Sequence, residues 1–432
     1  MTESIATPVV QKPEISTARR RYALFALALG GFGIGSAEFV SMGLLPGIAQ
    51  SLLPDTMAVD PEQGIAHAGL MISAYALGVV VGAPTLALLA VTMSRSRMIV
   101  LMAGALALGT LLSALMPTFE LGLLARFVAG VPHGAYFGLA SLLAASLMGP
   151  GNQGKGVALA MSGLTVANLA GVPVLTAIGQ AAGWRVAYGI IALIFGATVI
   201  LLVRAVPRQE KPVGRRLIDE LRAFRRLQLW VVMGIAAIGF AGAFAVFSYI
   251  SDIAQNVAGA PASFVPWLLA AAGLGMTIGN LLGGWAADRS LFGTLLGTFP
   301  VYIGALVAMV LSAHSPSGLI LTFFLVNLAN AVLIPPMQTW LIRIAGRSEV
   351  LGASLNHASF NVANALGAAL GGAVIAAGFG FEAPILIALA LSVLGMGMVV
   401  TALALLRIRS RRRLAQLESA DIALTSRQRT AA

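Results

Sequence analysis

Apolar runs long enough to cross a bilayer recur along the whole chain, separated by short polar breaks. A helix needs roughly 20 mainly apolar residues to traverse a hydrocarbon core ~30 Å thick. Hydropathy interrupted at charges, Pro and Gly predicts twelve such spans: 22–45, 65–90, 97–116, 119–148, 154–181, 184–206, 229–252, 263–287, 292–313, 317–342, 350–378 and 382–406. The longest connection, 207–228, is rich in charge and contains Pro207 and Pro212. It separates two sets of six spans.

The two sets resemble each other. Val166-Ala167-Asn168 of span five recurs as Val362-Ala363-Asn364 of span eleven, inside matching frames Gly156…Gly171 and Gly352…Gly367. Gly78 and Gly82 of span two fall on Gly275 and Gly279 of span eight at nearly the same offset. Two agreeing offsets indicate duplication. The predicted fold is therefore an all-α membrane protein of twelve transmembrane helices in two pseudo-symmetric six-helix bundles. The expected division is an N-terminal tail 1–21, a first bundle 22–206, a linker 207–228, a second bundle 229–406 and a basic tail 407–432. Parallel repeats of this kind are the architecture of secondary transporters, with the substrate site near mid-membrane between the halves.

Composition agrees with the pattern. The chain is 58% hydrophobic and 10% charged, against about 25% charged residues in ordinary soluble domains. All Lys and Arg except Arg126 and Arg185 fall on one side of the predicted topology, while the opposite loops carry Asp55, Asp60, Glu62, Glu120 and Glu382. The positive-inside rule places both termini in the cytoplasm of a multi-pass protein of the cell (inner) membrane. It also accounts for the net charge of +11 without nucleic acid. The first span is expected to direct insertion, because no short apolar core with a small-residue cleavage site precedes it. With no cysteine, disulfides, thiolate metal sites and cysteine nucleophiles are excluded. Four scattered histidines show no ligand spacing, and there is no Walker-type phosphate loop. Neither a metal, a cofactor nor an enzymatic centre is expected.

Glu38 interrupts the first span, and Arg126 the fourth. A charge at bilayer depth costs at least ~2.5–3.5 kcal/mol and usually marks an ion, proton or substrate pathway. Glu38 lies about 6 residues, or ~9 Å, before the end of span one, and Arg126 about as far into span four, which runs the other way. The two charges are expected at one level, as a proton-binding acid modulated by Arg126 or as a static ion pair. Aligning Gly31-Phe32 with Gly239-Phe240 sets Val246 opposite Glu38, so only one half carries the acid. His133, two turns after Arg126 on the same face, either relays protons, binds substrate or packs; His357 poses the same choice. Buried polar candidates for substrate contact are Tyr75, Asn168, Tyr249, Asn327, Asn330, Gln338, Asn356 and Asn361. Amides and hydroxyls in an apolar cavity suit a neutral or amphipathic small molecule, although each also serves interhelical hydrogen bonding. Recurrence of Asn168 as Asn364 favours an architectural role for those two.

Gly284-Trp285-Ala286-Ala287-Asp288-Arg289 carries the Gly…Asp-Arg signature that follows the eighth span in the major facilitator superfamily, which the chain resembles from Arg19 to Arg409. The equivalent N-terminal positions, Ala87, Val91 and Thr92, have lost it. Arg126 to Ala135, through Pro132-His133-Gly134, resembles the fourth-span motif of the proton-driven drug antiporter branch. Gly163 to Pro173 resembles its fifth-span motif, with Gly171-Val172-Pro173 in place of Gly-Pro. With Ala37-Glu38-Phe39 and Tyr75…Gly78, the set is similar to arabinose-efflux-permease-like exporters. The resemblance implies the major facilitator fold, proton coupling through Glu38, Arg126 and His133, and conformational gating by Gly284, Asp288, Arg289, Gly171 and Pro173. The implied activity is proton-coupled export of a drug, sugar, nucleoside or metabolite by alternating access, from a monomer whose partners are substrate, protons and lipid. Import of a nutrient by a facilitator or proton symporter is the alternative.

Overall fold

The computed structural model describes residues 16–89, 93–149, 151–209, 226–345 and 349–430. Most of the expected linker, all but the last residues of the N-terminal tail, and Val91 and Thr92 lie outside them. Among the described residues twelve helices are long and apolar enough to cross a membrane, and each coincides with a span read from hydropathy: Thr17–Gly43, Pro61–Leu86, Arg95–Leu115, Phe119–Met148, Gln153–Ala182, Trp184–Ala205, Leu227–Ser248, Ala262–Arg289, Leu291–Ser312, Pro316–Ile344, Leu355–Phe379 and Ala383–Leu406. An even number of crossings returns the chain to the face it started from, here termed the terminal face, opposite a distal face.

Packing repeats as the sequence does. In the first bundle span one packs on five and six, four on two and three, and three on six; the same pairings recur six spans later. Across the seam, span two meets eleven and span five meets eight, again a symmetric pair. The glycines explain the register. A methyl on Gly78 or Gly82 would collide with the carbonyls of Phe127 and Val131 on span four, and one on Gly275 or Gly279 with those of Phe324 and Leu328 on span ten. Glycines and carbonyls alike are displaced by 197 residues between the halves. Within a membrane, where apolar surface provides little drive for association, such close backbone approach is what holds helices together.

Three local features depart from simple spans. Leu45–Leu52 and Pro54–Val59 form short helices on the distal face, each with proline in its first turn, where the missing N–H has no partner to lose. Span five widens into a single π turn, Ala167–Gly171, directly before Pro173. Pro173 lacks an N–H and would press on the carbonyl four residues back, and the wider turn relieves both. Span ten breaks between Val332 and Ile334, ahead of Pro335-Pro336, whereas span four runs through Pro132 as one helix. The last helix continues past the membrane-length segment to Thr430.

The bundles meet on the distal side. Gln180 Nε2 donates to the Ala262 carbonyl at 2.9 Å, and Tyr249 wedges between Gly69 and Gly372. The distal half of span five, Ala167–Ala182, lies on span eight, while its terminal half, Gln153–Val166, packs on spans one and four of its own bundle. The glycine crossings give a test. Gly130→Leu should lower thermal stability in detergent by ~1–3 kcal/mol through overpacking, since even a methyl there strikes the Tyr75 carbonyl. Gly104→Ala, which meets nothing within 4 Å, should leave stability unchanged or raise it.

Candidate functional site

The Gly78–Gly130 crossing draws span two against span four and sets Tyr75 beside Arg126 and His133. The Arg126 guanidinium lies over the Tyr75 ring, 4.2 Å from its centroid, and 5.5 Å from that of Tyr188. Nη1 donates to the Ala37 carbonyl at 3.1 Å and Nη2 to Ser41 Oγ at 3.2 Å. Ser41 Oγ and the Tyr188 hydroxyl are 2.7 Å apart. Arg126 is wholly buried, so a planar fork with five donors suits it better than an ammonium would. Its two acceptors bracket Glu38 on span one, which places both charges at one depth, as the residue count predicts.

They are not an ion pair. Among the described residues, the side-chain hydrogen bond to Glu38 comes from Asn364 Nδ2, 3.1 Å from Oε1. The donor belongs to span eleven, in the other bundle. Arg126 remains within electrostatic reach of the carboxylate without touching it. Beside Glu38, Phe39 meets Phe247 at 5.4 Å between ring centroids. The repeat register makes these two residues counterparts, so the contact lies on the pseudo-symmetry axis. Phe247 in turn packs on Phe323 at 5.3 Å, and Phe323 is the counterpart of Arg126 at the 197-residue offset. The first bundle has a charge where the second has a phenyl ring.

Toward the terminal face the cluster continues through imidazoles. The Tyr75 hydroxyl lies 3.2 Å from His133 Nδ1. His133 faces His357 across the seam at 6.4 Å between centroids, and Phe137 stacks on His357 at 5.2 Å and 5°. His357, Asn361 and Asn364 occupy one face of span eleven, at helical spacing i, i+4 and i+7. That face therefore looks into the seam. Asn361 donates to the His357 carbonyl at 3.0 Å, leaving its Oδ1 buried without a partner among the described residues, as are the Oδ1 atoms of Asn364, Asn330 and Asn356.

The other polar candidates are placed differently. Tyr249 gives its hydroxyl to the Ala368 carbonyl at 2.8 Å, and Asn327 its amide to Phe323 at 2.8 Å, so both donors are spent on backbone. Asn168 is half-buried in the π turn of span five, with its carbonyl against Gly273 of span eight. Gln338 is half-buried on the short helix after the break in span ten. Gly171 and Pro173 are buried at the same π turn, Gly171 against the Phe32 ring. Gly284 meets nothing within 4 Å, and Arg289, exposed with Asp288 at the end of span eight, stacks on Trp285 at 3.7 Å. The sequence reading gave Asn364 an architectural role and did not single out Asp252. Asn364 looked architectural because its counterpart shares the amide; the missed signal was that only Asn364 has a carboxylate opposite. Asp252, buried with an unpartnered Oδ2 on the distal side of span seven, fell on a predicted span edge and was masked by it.

Comparison with known proteins bears on the fold and the family. The family described as Major Facilitator Superfamily matches residues 27–347 and 258–428. The inner membrane transport protein YdhP of Escherichia coli K12 is 36% identical over 361 residues, covering 84% of this chain and 90% of its own. A chloramphenicol resistance protein of Streptomyces lividans is 27% identical over 348 residues, covering 80% and 86%. Among solved structures, a bacterial homolog of the human lysosomal transporter Spinster, in an inward-facing and unoccupied conformation, superposes with a TM-score of 0.66 at 17% identity. It covers 90% of this chain and 97% of that one. Family match, identity and architecture coincide: the chain belongs to the Major Facilitator Superfamily and is a multi-pass secondary transporter, not an enzyme.

Proposed function

We propose that the protein is a proton-coupled exporter of small organic molecules, of the drug:proton antiporter branch and similar to arabinose-efflux-permease-like exporters. The observation that carries the reading is the position of Glu38, buried at the seam between bundles with its only hydrogen-bonding partner among the described residues in the opposite half. A carboxylate there changes its interactions whenever the bundles rock, and that is what a coupling site requires. Arg126 sets the local field, since its fork is held by span one and does not quench Glu38 directly. His133, joined to Tyr75, extends the polar path toward the terminal face. The chloramphenicol resistance relative supports the export direction.

Substrate binds in this reading between bundles 22–206 and 229–406, and the buried acceptors of Asn330, Asn356 and Asn361, without a partner among the described residues, are the groups proposed to receive it. Gly171 and Pro173 supply the flexible turn in span five, and Gly284, Asp288 and Arg289 the terminal end of span eight. The basic terminal face is the cytoplasmic one, with both termini inside, and the transporter works as a monomer in the inner membrane.

Two measurements test the proposal. In inside-out vesicles challenged with a panel of drugs, sugars and nucleosides, wild-type uptake should follow an imposed proton gradient, and Glu38→Gln should abolish the gradient-driven component. Full gradient-driven uptake by Glu38→Gln would refute the proton site. Arg126→Lys keeps the charge but cannot reproduce the fork, and hydrogen bonds from charged groups contribute ~1.5–3 kcal/mol. That variant should lose stability on this scale in thermal unfolding and transport more slowly.

A further inference from the structure

We infer that Asn364 is a charge-sensitive latch that holds the empty, deprotonated transporter closed on its distal side, so that protons cross only in exchange for substrate. The inference rests on the reading of Glu38 as the proton site.

The geometry is specific. Glu38 and Asn364 are 326 residues apart and join spans one and eleven across the seam, with Asn364 almost wholly buried. The next residue, Ala365, accepts from Ser73 Oγ at 3.1 Å, so span eleven is tied to both spans one and two of the first bundle at this level. Distal opening has to part these spans and therefore has to break the Glu38–Asn364 bond.

The strength of that bond depends on protonation. A hydrogen bond to an ionised acceptor is roughly twice as strong as a neutral one. Among the described residues no other side chain hydrogen-bonds Glu38, and Arg126, whose buried Nε has no partner there, makes no ion pair with it. Arg126 is held by Ala37 and Ser41, Tyr75 by His133, and Tyr188 by Ser41. On span seven the neighbour is Phe247, and the counterpart position is Val246. Parting the seam with Glu38 ionised forfeits the stronger, charge-assisted bond. Protonation removes the charge and that added strength with it.

Substrate lifts the latch by another route. Oδ1 of Asn364 and Oδ1 of Asn361, on the same face of span eleven, are buried without donors. A ligand that brings hydroxyl or N–H donors to these acceptors, and to Glu38 itself, replaces the amide and frees the seam. The releasing substrate is thus a hydrogen-bond donor, and an empty deprotonated carrier has neither key. The second seam lacks the device, because Asn168 is matched in register with Val246 rather than with an acid.

Proton leak in the absence of substrate reads this directly and needs no knowledge of the ligand. Full-length protein is reconstituted into liposomes holding a pH-sensitive dye, and a proton gradient is imposed. Wild type should be nearly as tight as empty liposomes. Asn364→Ala should leak at least ~10-fold faster, the ratio that corresponds to ~1.4 kcal/mol. Asn364→Gln, which keeps an amide, should leak less than Asn364→Ala, and Glu38→Gln/Asn364→Ala should be tight again. A monodisperse Asn364→Ala that stays as tight as wild type overturns the latch, and so does a leak that persists in the double variant. Failure of the proton site itself shows elsewhere, as gradient-driven transport surviving in Glu38→Gln.

Discussion

A carboxylate inside a membrane has to receive its hydrogen bonds from protein, because the hydrocarbon has none to give and each unmet polar group costs several kcal/mol. At Glu38 that requirement is met across the joint between the two bundles, by Asn364 at 3.1 Å. The neighbouring cation is withheld: Arg126 spends its fork on Ala37 and Ser41 and acts on Glu38 only through its field. A direct buried ion pair would resist separation by several kcal/mol and would fix span one to span four within one bundle. A neutral amide from the opposite bundle is weaker and movable. In the proposed coupling, the electrostatics tie a protonation state to a relative position of two rigid bodies.

The rigid bodies owe their rigidity to the repeat. Gly78 and Gly82 in one half and Gly275 and Gly279 in the other admit the same two carbonyl contacts, and the first of these crossings also seats Tyr75 on Arg126. Onto this symmetric frame the sequence writes asymmetric chemistry. Glu38 faces Val246 in register, Arg126 faces Phe323, and His133 faces Asn330. Phe39 and Phe247 remain alike and touch on the axis. One half holds charge and imidazole; the other presents amides and rings. That division sets a single carboxylate against a surface built to hydrogen-bond rather than to ionise.

Much of this was legible in the residues. Twelve apolar runs fixed twelve helices because length and hydropathy decide membrane crossing with little help from tertiary contacts. The depth of Glu38 and Arg126 followed from counting at 1.5 Å per residue. What a linear reading lacks is direction. The charges of Glu38 and Arg126 are plain in the sequence, but not that one turns to a neighbouring bundle and the other to a backbone carbonyl. Asn168 and Asn364 look the same in the repeat, and only the residue opposite distinguishes them. Tyr249 and Asn327 look like cavity groups until their donors are found on carbonyls. The helices at Leu45–Leu52 and Pro54–Val59 were too short to show a period, and Asp252 stood on a predicted span boundary.

If, as proposed, the charge on Glu38 governs closure of the distal face, the separation of the bundles there depends on pH. Because the chain has no cysteine, spin labels can be introduced without background at Gln63→Cys, in the first turn of span two, and at Glu382→Cys, in the turn before span twelve, on the distal side of opposite bundles. Their separation can then be measured in substrate-free protein across a pH series. The account predicts a short-distance population that dominates at high pH, a longer one that grows as Glu38 protonates, and loss of this response in Glu38→Gln. A distance distribution indifferent to pH in the wild type, or an unchanged pH response in Glu38→Gln, would contradict it.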